Sequence, residues 1–153
     1  MPRLEHKIPP PILMLLCTVL MWLTSKLDEL VTIPSSSKIV LIFILVVCAM
    51  IFIFGGIACF KKSNTTINPL QPETASKLVI TGIYQISRNP MYVGLSILLF
   101  AWSIYLTSIF AFAWVGIFMM TIQYLQIIPE ERALTKLFGD DYKSYQAKVR
   151  RWL

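Results

Sequence analysis

The sequence has little of the residue types that most soluble enzymes use for chemistry. Its 153 residues include one histidine and three cysteines. Only 14% of them are charged, against roughly 25% in a typical soluble domain. The hydrophobic share is 56%. This composition excludes a disordered chain, a disulfide-rich scaffold and an ordinary cytosolic globule, and it predicts an integral membrane protein.

The scarce cysteines and histidine also exclude two kinds of site. Cys17, Cys48 and Cys59 lie inside or at the end of apolar blocks, without a CxxC pair or a histidine at ligand spacing. We therefore expect neither a metal site nor a disulfide. His6 lies in a polar leader, so the body of the chain offers no histidine for acid–base catalysis.

The apolar blocks predict an all-α protein with four membrane-spanning helices. Residues 39–60 are 22 positions without a charge, whereas residues 10–24 are short for the roughly 20 residues that a span needs. The latter resembles a signal peptide but no cleavage site follows it, so we expect it to be retained. Residues 91–128 carry no formal charge over 38 positions, which suits two helices, 91–105 and 108–128, in a tight hairpin.

The basic residues predict the orientation. If both termini and the connection at 61–90 share one side, twelve of the fourteen lysines and arginines lie there, and only Lys26 and Lys38 lie opposite. Basic residues favour the cytoplasmic side, so we expect both termini in the cytoplasm, with a bacterial inner membrane as the setting that fits; an endoplasmic reticulum membrane would give the same pattern. The formal charge of +6 flanks the spans instead of forming a basic stripe, so no nucleic-acid partner is expected.

This topology brings two polar segments, 78–94 and 123–132, to the same membrane boundary. Asn89 followed by Pro90 predicts a helix N-cap with proline at the first helical position. The free N–H groups of that helix start suit a carboxylate or phosphate, and Arg88 adds a cationic clamp. Gly82 permits a tight turn, and Gly94 permits close approach of a backbone or ligand.

Three polar residues continue the pattern on the fourth span. Gln123, Gln126 and Glu130 are spaced i, i+3 and i+7, so they share a helix face, and polar groups at membrane depth usually face the bundle interior. The hairpin should place Asn89 near Glu130. Each feature also has an ordinary structural explanation as a cap, an interfacial anchor or a solvated helix start; their meeting at one boundary favours a binding site.

At these residues the chain resembles isoprenylcysteine carboxyl methyltransferases and their phospholipid methyltransferase relatives. The stretch from Thr81-Gly82-Ile83-Tyr84 to Ser87-Arg88-Asn89-Pro90-Met91-Tyr92-Val93-Gly94 is similar to the G-x-Y…R-H/N-P-x-Y-x-G signature. The stretch from Glu130-Glu131-Arg132-Ala133-Leu134 to Phe138-Gly139-Asp140-Asp141-Tyr142 is similar to the E-E-x-x-L…F-G-x-x-Y block. The likeness covers about residues 64–151.

The resemblance implies a membrane methyltransferase, a single membrane domain over 1–153, that takes S-adenosyl-L-methionine as cofactor and a lipid or lipid-linked acceptor. In that arrangement the connection 63–90 binds the cofactor, and the tail 129–153 covers the pocket from the cytoplasmic side. Arg88 and Glu130 would orient the reactants, and Gln126 would meet the substrate. The implied cofactor-binding residues are Ser76, Lys77, Leu78, Val79, Gly82, Tyr84, Asn89, Pro90, Met91, Tyr92, Glu130 and Glu131.

Two departures leave the acceptor open. Asn89 stands where many eukaryotic members have histidine, and Gln126 stands where prenylcysteine methyltransferases carry an arginine for the substrate carboxylate. A carboxylate acceptor needs no general base, whereas an amine or hydroxyl would rely on Glu130 or Glu131, with Tyr84 or Tyr92 as weaker bases. Alternatives are a phospholipid N-methyltransferase, an NADPH-dependent membrane reductase of related fold, and a non-catalytic four-span protein. The oligomeric state is left open.

Overall fold

The computed structural model describes residues 8–27, 35–63 and 77–153. Within these ranges 86% of the residues are helical and no strand is present, which confirms the prediction of an all-α fold. Three helices there, Pro10–Leu27, Ser35–Ser63 and Ile109–Lys148, are long and apolar enough to cross a membrane, and Pro90–Leu106 is a shorter apolar helix. The fold is therefore that of a small helical membrane protein.

The described residues form five α-helices. They are α1 (Pro10–Thr24), α2 (Ser35–Ser63), α3 (Pro90–Leu106), α4 (Ile109–Ile122) and α5 (Ile128–Lys148). A 3-10 turn, Ser25–Leu27, extends α1, and another, Gly82–Gln85, precedes α3. A five-residue π-helical turn, Gln123–Ile127, joins α4 to α5 without a break.

The hairpin between α3 and α4 turns within two residues. Thr107 adopts a left-handed conformation with φ of 51°, which ends α3. Ser108 then caps α4, because its hydroxyl accepts a hydrogen bond from the Ala111 N–H at 3.2 Å. The turn thus lies inside the stretch 105–108 that the sequence predicts for it.

The helices alternate in direction, so their polar ends meet at one end of the bundle. Trp114 Nε1 donates to Thr24 Oγ1 at 3.2 Å, which places the end of α1 beside the start of α4. At the opposite end, Gln126 Nε2 donates to the Ile8 carbonyl at 2.8 Å. Helices α1 and α4 are therefore antiparallel. Residues 8, 63, 89 and 126 fall at the end of the bundle that the charge pattern predicts to be cytoplasmic.

Helix α2 packs closely against α3 because a glycine removes the side chain between them. A β carbon built at Gly94 would lie 2.5 Å from Ile53 Cγ1 and 2.9 Å from the Ala49 carbonyl oxygen. Similarly, a β carbon at Gly56 would lie 2.8 Å from Met91 Cγ. The close approach predicted for Gly94 is confirmed, with the α2 backbone as the group that approaches.

The polar tail is not separate from the fourth span. The sequence predicts a span ending at 128 and a tail from 129, but the helical path continues through the π turn into α5. The apolar face of Ala133, Leu134, Leu137 and Phe138 predicts a helix that ends at Gly139, with a second short helix after it. The structure has non-helical dihedral angles at Gly139, with φ of 52° and ψ of −123°, and two helical stretches meet at this kink, so the predicted helix end is confirmed.

Candidate functional site

The starts of α3 and α5 meet through a tyrosine and a glutamate. Tyr92 lies in the first turn of α3, where it is 7% exposed, and its hydroxyl donates to Glu130 Oε1 at 2.6 Å. Glu130 lies in the first turn of α5. The two polar segments that the sequence places at one boundary are therefore in direct contact.

The neighbouring glutamate, Glu131, is held by two arginines. Arg88 Nη2 lies 2.9 Å from Glu131 Oε1, while Arg151 binds both oxygens, with Nε 3.0 Å from Oε1 and Nη2 2.7 Å from Oε2. The Arg88 and Glu131 side chains are only 10% and 12% exposed. These hydrogen bonds raise the pKa of the Arg151 guanidinium. Glu131 is thus a buried structural anion whose two oxygens both have partners.

Tyr84, in the 3-10 turn before α3, brings a second polar aromatic group to this region. Its ring is 6% exposed and packs edge-on against Phe60 of α2, with 5.5 Å between the ring centres. The Tyr145 hydroxyl donates to the Tyr84 carbonyl at 2.6 Å, which ties the turn to α5. Burial, and next the charge of Glu130, raise the pKa of the Tyr84 hydroxyl well above its usual value. Tyr84 therefore stays protonated at neutral pH and does not serve as a base.

The turn that presents Tyr84 depends on the glycine before it. Gly82 has φ of +61°, a conformation that side chains rarely adopt. A β carbon there would also lie 2.7 Å from the sulfur of Cys59. The tight turn predicted at Gly82 is confirmed, and Cys59 itself donates to the Thr81 carbonyl at 3.4 Å.

A groove of about 640 Å³ opens beside this turn, between the segment 78–85 and the second half of α5. Tyr145, which lines the groove and also binds the Tyr84 carbonyl, connects it to the Tyr84–Glu130 region. The walls of the groove combine apolar, aromatic and polar side chains: Leu78, Ile80, Gln85, Asp141, Ser144, Tyr145, Lys148 and Val149.

Asn89 occupies the predicted N-cap position but does not act as the predicted cap. Its side chain makes no capping hydrogen bond. Instead, Asn89 Nδ2 donates to the Arg151 carbonyl at 2.9 Å, and the Asn89 N–H donates to the Ser87 hydroxyl at 3.1 Å. The side chain is diverted because the end of the chain folds back against the start of α3.

The two glutamines of the π turn bind opposite ends of the chain. Gln126 is 1% exposed, and while its Nε2 donates to the Ile8 carbonyl, its Oε1 is buried without a hydrogen-bond partner. Gln123 Oε1 accepts from Trp152 Nε1 at 3.1 Å. The shared face predicted from straight α-helical spacing does not account for these contacts, since the π turn changes the helical register between the two glutamines and Glu130.

The other predicted site residues differ in their exposure to solvent. Val79 and Pro90 are buried, and Met91 packs on Gly56. Lys77 is exposed. Ser76 lies outside the described residues.

Four residues that contact the site had no role predicted from the sequence: Arg151, Trp152, Ser87 and Tyr145. Ser87 is fully buried, and its hydroxyl both accepts from Asn89 and donates to the Arg151 carbonyl at 3.4 Å. Arg151 and Trp152 had no periodicity that could have identified their contacts. For Tyr145, the spacing of Tyr142, Tyr145 and Val149 indicated a short helix and gave no sign of a contact with Tyr84.

Chemically, the arrangement suits a cationic ligand with a polar, partly planar body. A carboxylate and two aromatic rings, those of Tyr84 and Tyr92, attract positive charge. Arg88 Nε is buried without a hydrogen-bond partner, so it is a donor available to an anionic group. A zwitterion that carries a cationic centre and a carboxylate therefore fits the residues present.

The comparisons with known proteins point to one family. Residues 37–141 match the family model described as "Phospholipid methyltransferase". A 63-residue stretch is 44% identical to an uncharacterized protein of Haemophilus influenzae; the match covers 41% of this chain and all of that protein. No solved structure matches. Because the family model spans more than half of the chain, from α2 into α5, the chain belongs to the phospholipid methyltransferase family.

Proposed function

We propose that this protein transfers a methyl group from S-adenosyl-L-methionine to a lipid or lipid-linked acceptor at the cytoplasmic face of the membrane. The Tyr92–Glu130 contact supports this most directly, because it places a carboxylate at the end of the apolar bundle, beside Tyr84. When bound, the cofactor supplies a methyl group on a cationic sulfur, which leaves as a neutral thioether.

Glu130 has the role of holding the cationic centre. In the low-dielectric surroundings of the bundle end, a carboxylate stabilises a nearby sulfonium more than it would in water. Tyr92 fixes the carboxylate by binding Oε1. The rings of Tyr84 and Tyr92 add an aromatic surface that favours a cation.

The groove beside Gly82 is suited to the adenosyl portion. Apolar and aromatic walls from Leu78, Ile80 and Tyr145 suit the face of a purine, whereas Gln85 and Ser144 suit its hydrogen-bonding edges. The free Nε of Arg88 suits the carboxylate of the amino-acid portion. For Glu131 we propose a positioning role in place of cofactor contact, because both of its oxygens already bind arginine.

An acceptor with N–H or O–H groups fits this end of the bundle better than a carboxylate does. The unpartnered Gln126 Oε1 and the Glu130 carboxylate are hydrogen-bond acceptors, and they call for a donor. The guanidiniums of Arg88 and Arg151 both bind Glu131. An amine headgroup would hand its proton to Glu130 Oε2, since Tyr92 binds the other oxygen. A carboxylate acceptor, as in prenylcysteine methylation, is the second candidate.

Calorimetric titration of the purified protein in lipid nanodiscs tests the cofactor. S-adenosylmethionine and S-adenosylhomocysteine differ by the methyl group and its positive charge, so their affinity ratio reports on the cationic site. We expect the unmodified protein to bind both ligands. Glu130→Gln should lower the affinity for S-adenosylmethionine, the sulfonium, by at least about tenfold relative to the affinity for S-adenosylhomocysteine, the thioether. Asp140→Asn, an acid-to-amide change at an exposed residue, should leave the ratio unchanged. Absence of binding by folded protein would exclude the proposed function.

The acceptor is tested by incubating the protein with methyl-labelled S-adenosylmethionine and a total lipid extract. Treatment of the labelled lipid with alkali distinguishes the two candidates, because methyl esters release methanol whereas methylamines keep their label. Alkali-stable label supports an amine or hydroxyl acceptor, and alkali-labile label supports a carboxylate. Heat-denatured protein provides the control.

A further inference from the structure

The last residues of the chain form a strap across the start of α3. Helix α5 ends at Lys148, and Val149 is extended, with φ of −121° and ψ of 134°. Beyond it, the Arg150 carbonyl accepts from the Arg88 N–H at 3.0 Å. The Arg151 carbonyl accepts from Asn89 Nδ2 at 2.9 Å. Residues 149–152, which we call the C-terminal strap, thus bind residues 87–89 through main-chain carbonyls.

The side chains of the strap bind two further elements. Arg151 forms the two-point contact with Glu131 at the start of α5, and Trp152 Nε1 donates to Gln123 Oε1 in the π turn. One short segment therefore joins the start of α3, the π turn and the start of α5.

None of these contacts involves Glu130 or Tyr92 directly, yet they hold the backbone on both sides of that pair. Tyr92 follows Asn89 by three residues in α3, and Glu130 immediately precedes Glu131 in α5. Together with the direct contact of Arg88 with Glu131, the strap contacts fix the start of α3 relative to the start of α5, where Tyr92 and Glu130 form their 2.6 Å hydrogen bond. The guanidinium of Arg151 is well suited to this task, because a two-point contact fixes orientation as well as distance.

We propose that Arg151 is a positioning residue for the cation-binding carboxylate: through Glu131 and Asn89 it sets the spacing of α3 and α5 and so holds Glu130 against Tyr92. This inference rests on the proposed function, since it names a residue that prepares the cofactor site without touching the cofactor. It predicts that the end of the chain controls preference for a sulfonium over a thioether.

The test compares two adjacent arginines. Arg151→Gln removes the contact with Glu131. Arg150→Gln removes the same charge from an exposed side chain and leaves the Arg150 carbonyl in place. For each variant the affinities for S-adenosylmethionine and S-adenosylhomocysteine are measured in nanodiscs, and their ratio is compared with that of the unmodified protein. If Arg151 had a merely structural role, its replacement would lower the affinities for both ligands equally and leave their ratio unchanged.

We expect Arg151→Gln to reduce the preference for the sulfonium by at least about fivefold, and Arg150→Gln to preserve it. A preference in Arg151→Gln equal to that in Arg150→Gln would overturn the inference. If Arg151→Gln does not fold, Arg151→Lys replaces it: lysine keeps the charge but not the two-point contact, so we expect a loss of at least about threefold, and full retention would overturn the inference. If the unmodified protein binds neither ligand, it is the proposed function that fails.

Discussion

Replacing Glu131 by glutamine should destabilise the protein more than any other acid-to-amide change at an ion pair described here. Its carboxylate accepts three hydrogen bonds from two guanidiniums, at 2.9, 3.0 and 2.7 Å. The amide oxygen of glutamine can still accept, but the negative charge is lost. Arg88 would then keep a buried positive charge beside Arg151 without a counterion.

The structure sets the size of this effect. Removing one partner of a buried ion pair costs about 3–5 kcal/mol, because the remaining charge is left uncompensated. The Arg88 and Glu131 side chains are 10% and 12% exposed, so solvent screens their contact little. The Arg151 side chain is 34% exposed, so solvent screens its contact with Glu131 more and this contact contributes less to stability. We therefore expect Glu131→Gln to lower the free energy of unfolding by about 3 kcal/mol, near the lower end of that range.

The measurement is unfolding in mixed micelles of rising sodium dodecyl sulfate content, followed by far-ultraviolet circular dichroism. Asp140→Asn is the matched control, because Asp140 pairs with Lys143 at 2.9 Å while the two side chains are 93% and 63% exposed. We expect no resolvable change for this variant. Equal unfolding curves for the two variants would refute the conclusion that Glu131 is the buried anion that holds the two arginines.

Three further substitutions test other parts of the structure in the same unfolding assay. Gly94→Ala should lower the free energy of unfolding by about 1–3 kcal/mol, because the added methyl group collides with α2. Gly116→Ala is the control: nothing lies within 4 Å of a β carbon there, so the change should be neutral or stabilising. Equal losses of stability in the two variants would contradict the close packing of α2 on α3. Gly139→Ala should cost about 1–3 kcal/mol through backbone strain alone, since its φ is 52° and open space surrounds it. Gln126→Met removes the unpartnered acceptor and also the hydrogen bond to the Ile8 carbonyl, so it should lower the free energy of unfolding by about 1–3 kcal/mol. We also expect it to lower lipid methylation, and unchanged methylation would exclude Gln126 from the acceptor site.

Much of the fold could be predicted from hydropathy and turn chemistry. Apolar run lengths place helices over residues 10–24 and 39–60, and the structure has them at Pro10–Thr24 and Ser35–Ser63. The uncharged run of 38 residues was too long for one span, so its division into two helices followed from length, and the break predicted within 105–108 matches the turn at Thr107 and Ser108. The turn at Gly82 was predictable because few residue types other than glycine adopt positive φ.

The partners of individual polar groups could not be predicted in the same way. Glu130 and Glu131 are adjacent and chemically identical, yet one binds a tyrosine of α3 and the other binds two arginines. Helical geometry directs neighbouring side chains about 100° apart, so the same dipeptide meets two different surroundings. Asn89 was assigned as a cap from its local sequence, but its side chain binds a carbonyl that lies 62 residues away.

The amino-acid sequence alone was enough to predict a helical membrane protein, the division of its apolar helices, and the meeting of two polar segments at one end of the bundle. These are properties of local composition, periodicity and connection length, which act over short stretches of chain. Three features came only from the packed helices: Glu130 binds Tyr92 whereas Glu131 binds two arginines, the π turn redirects Gln126, and Arg151 joins α3 to α5. Those features depend on contacts between residues far apart in sequence, and they form only once the helices are packed and the C-terminal strap lies across them.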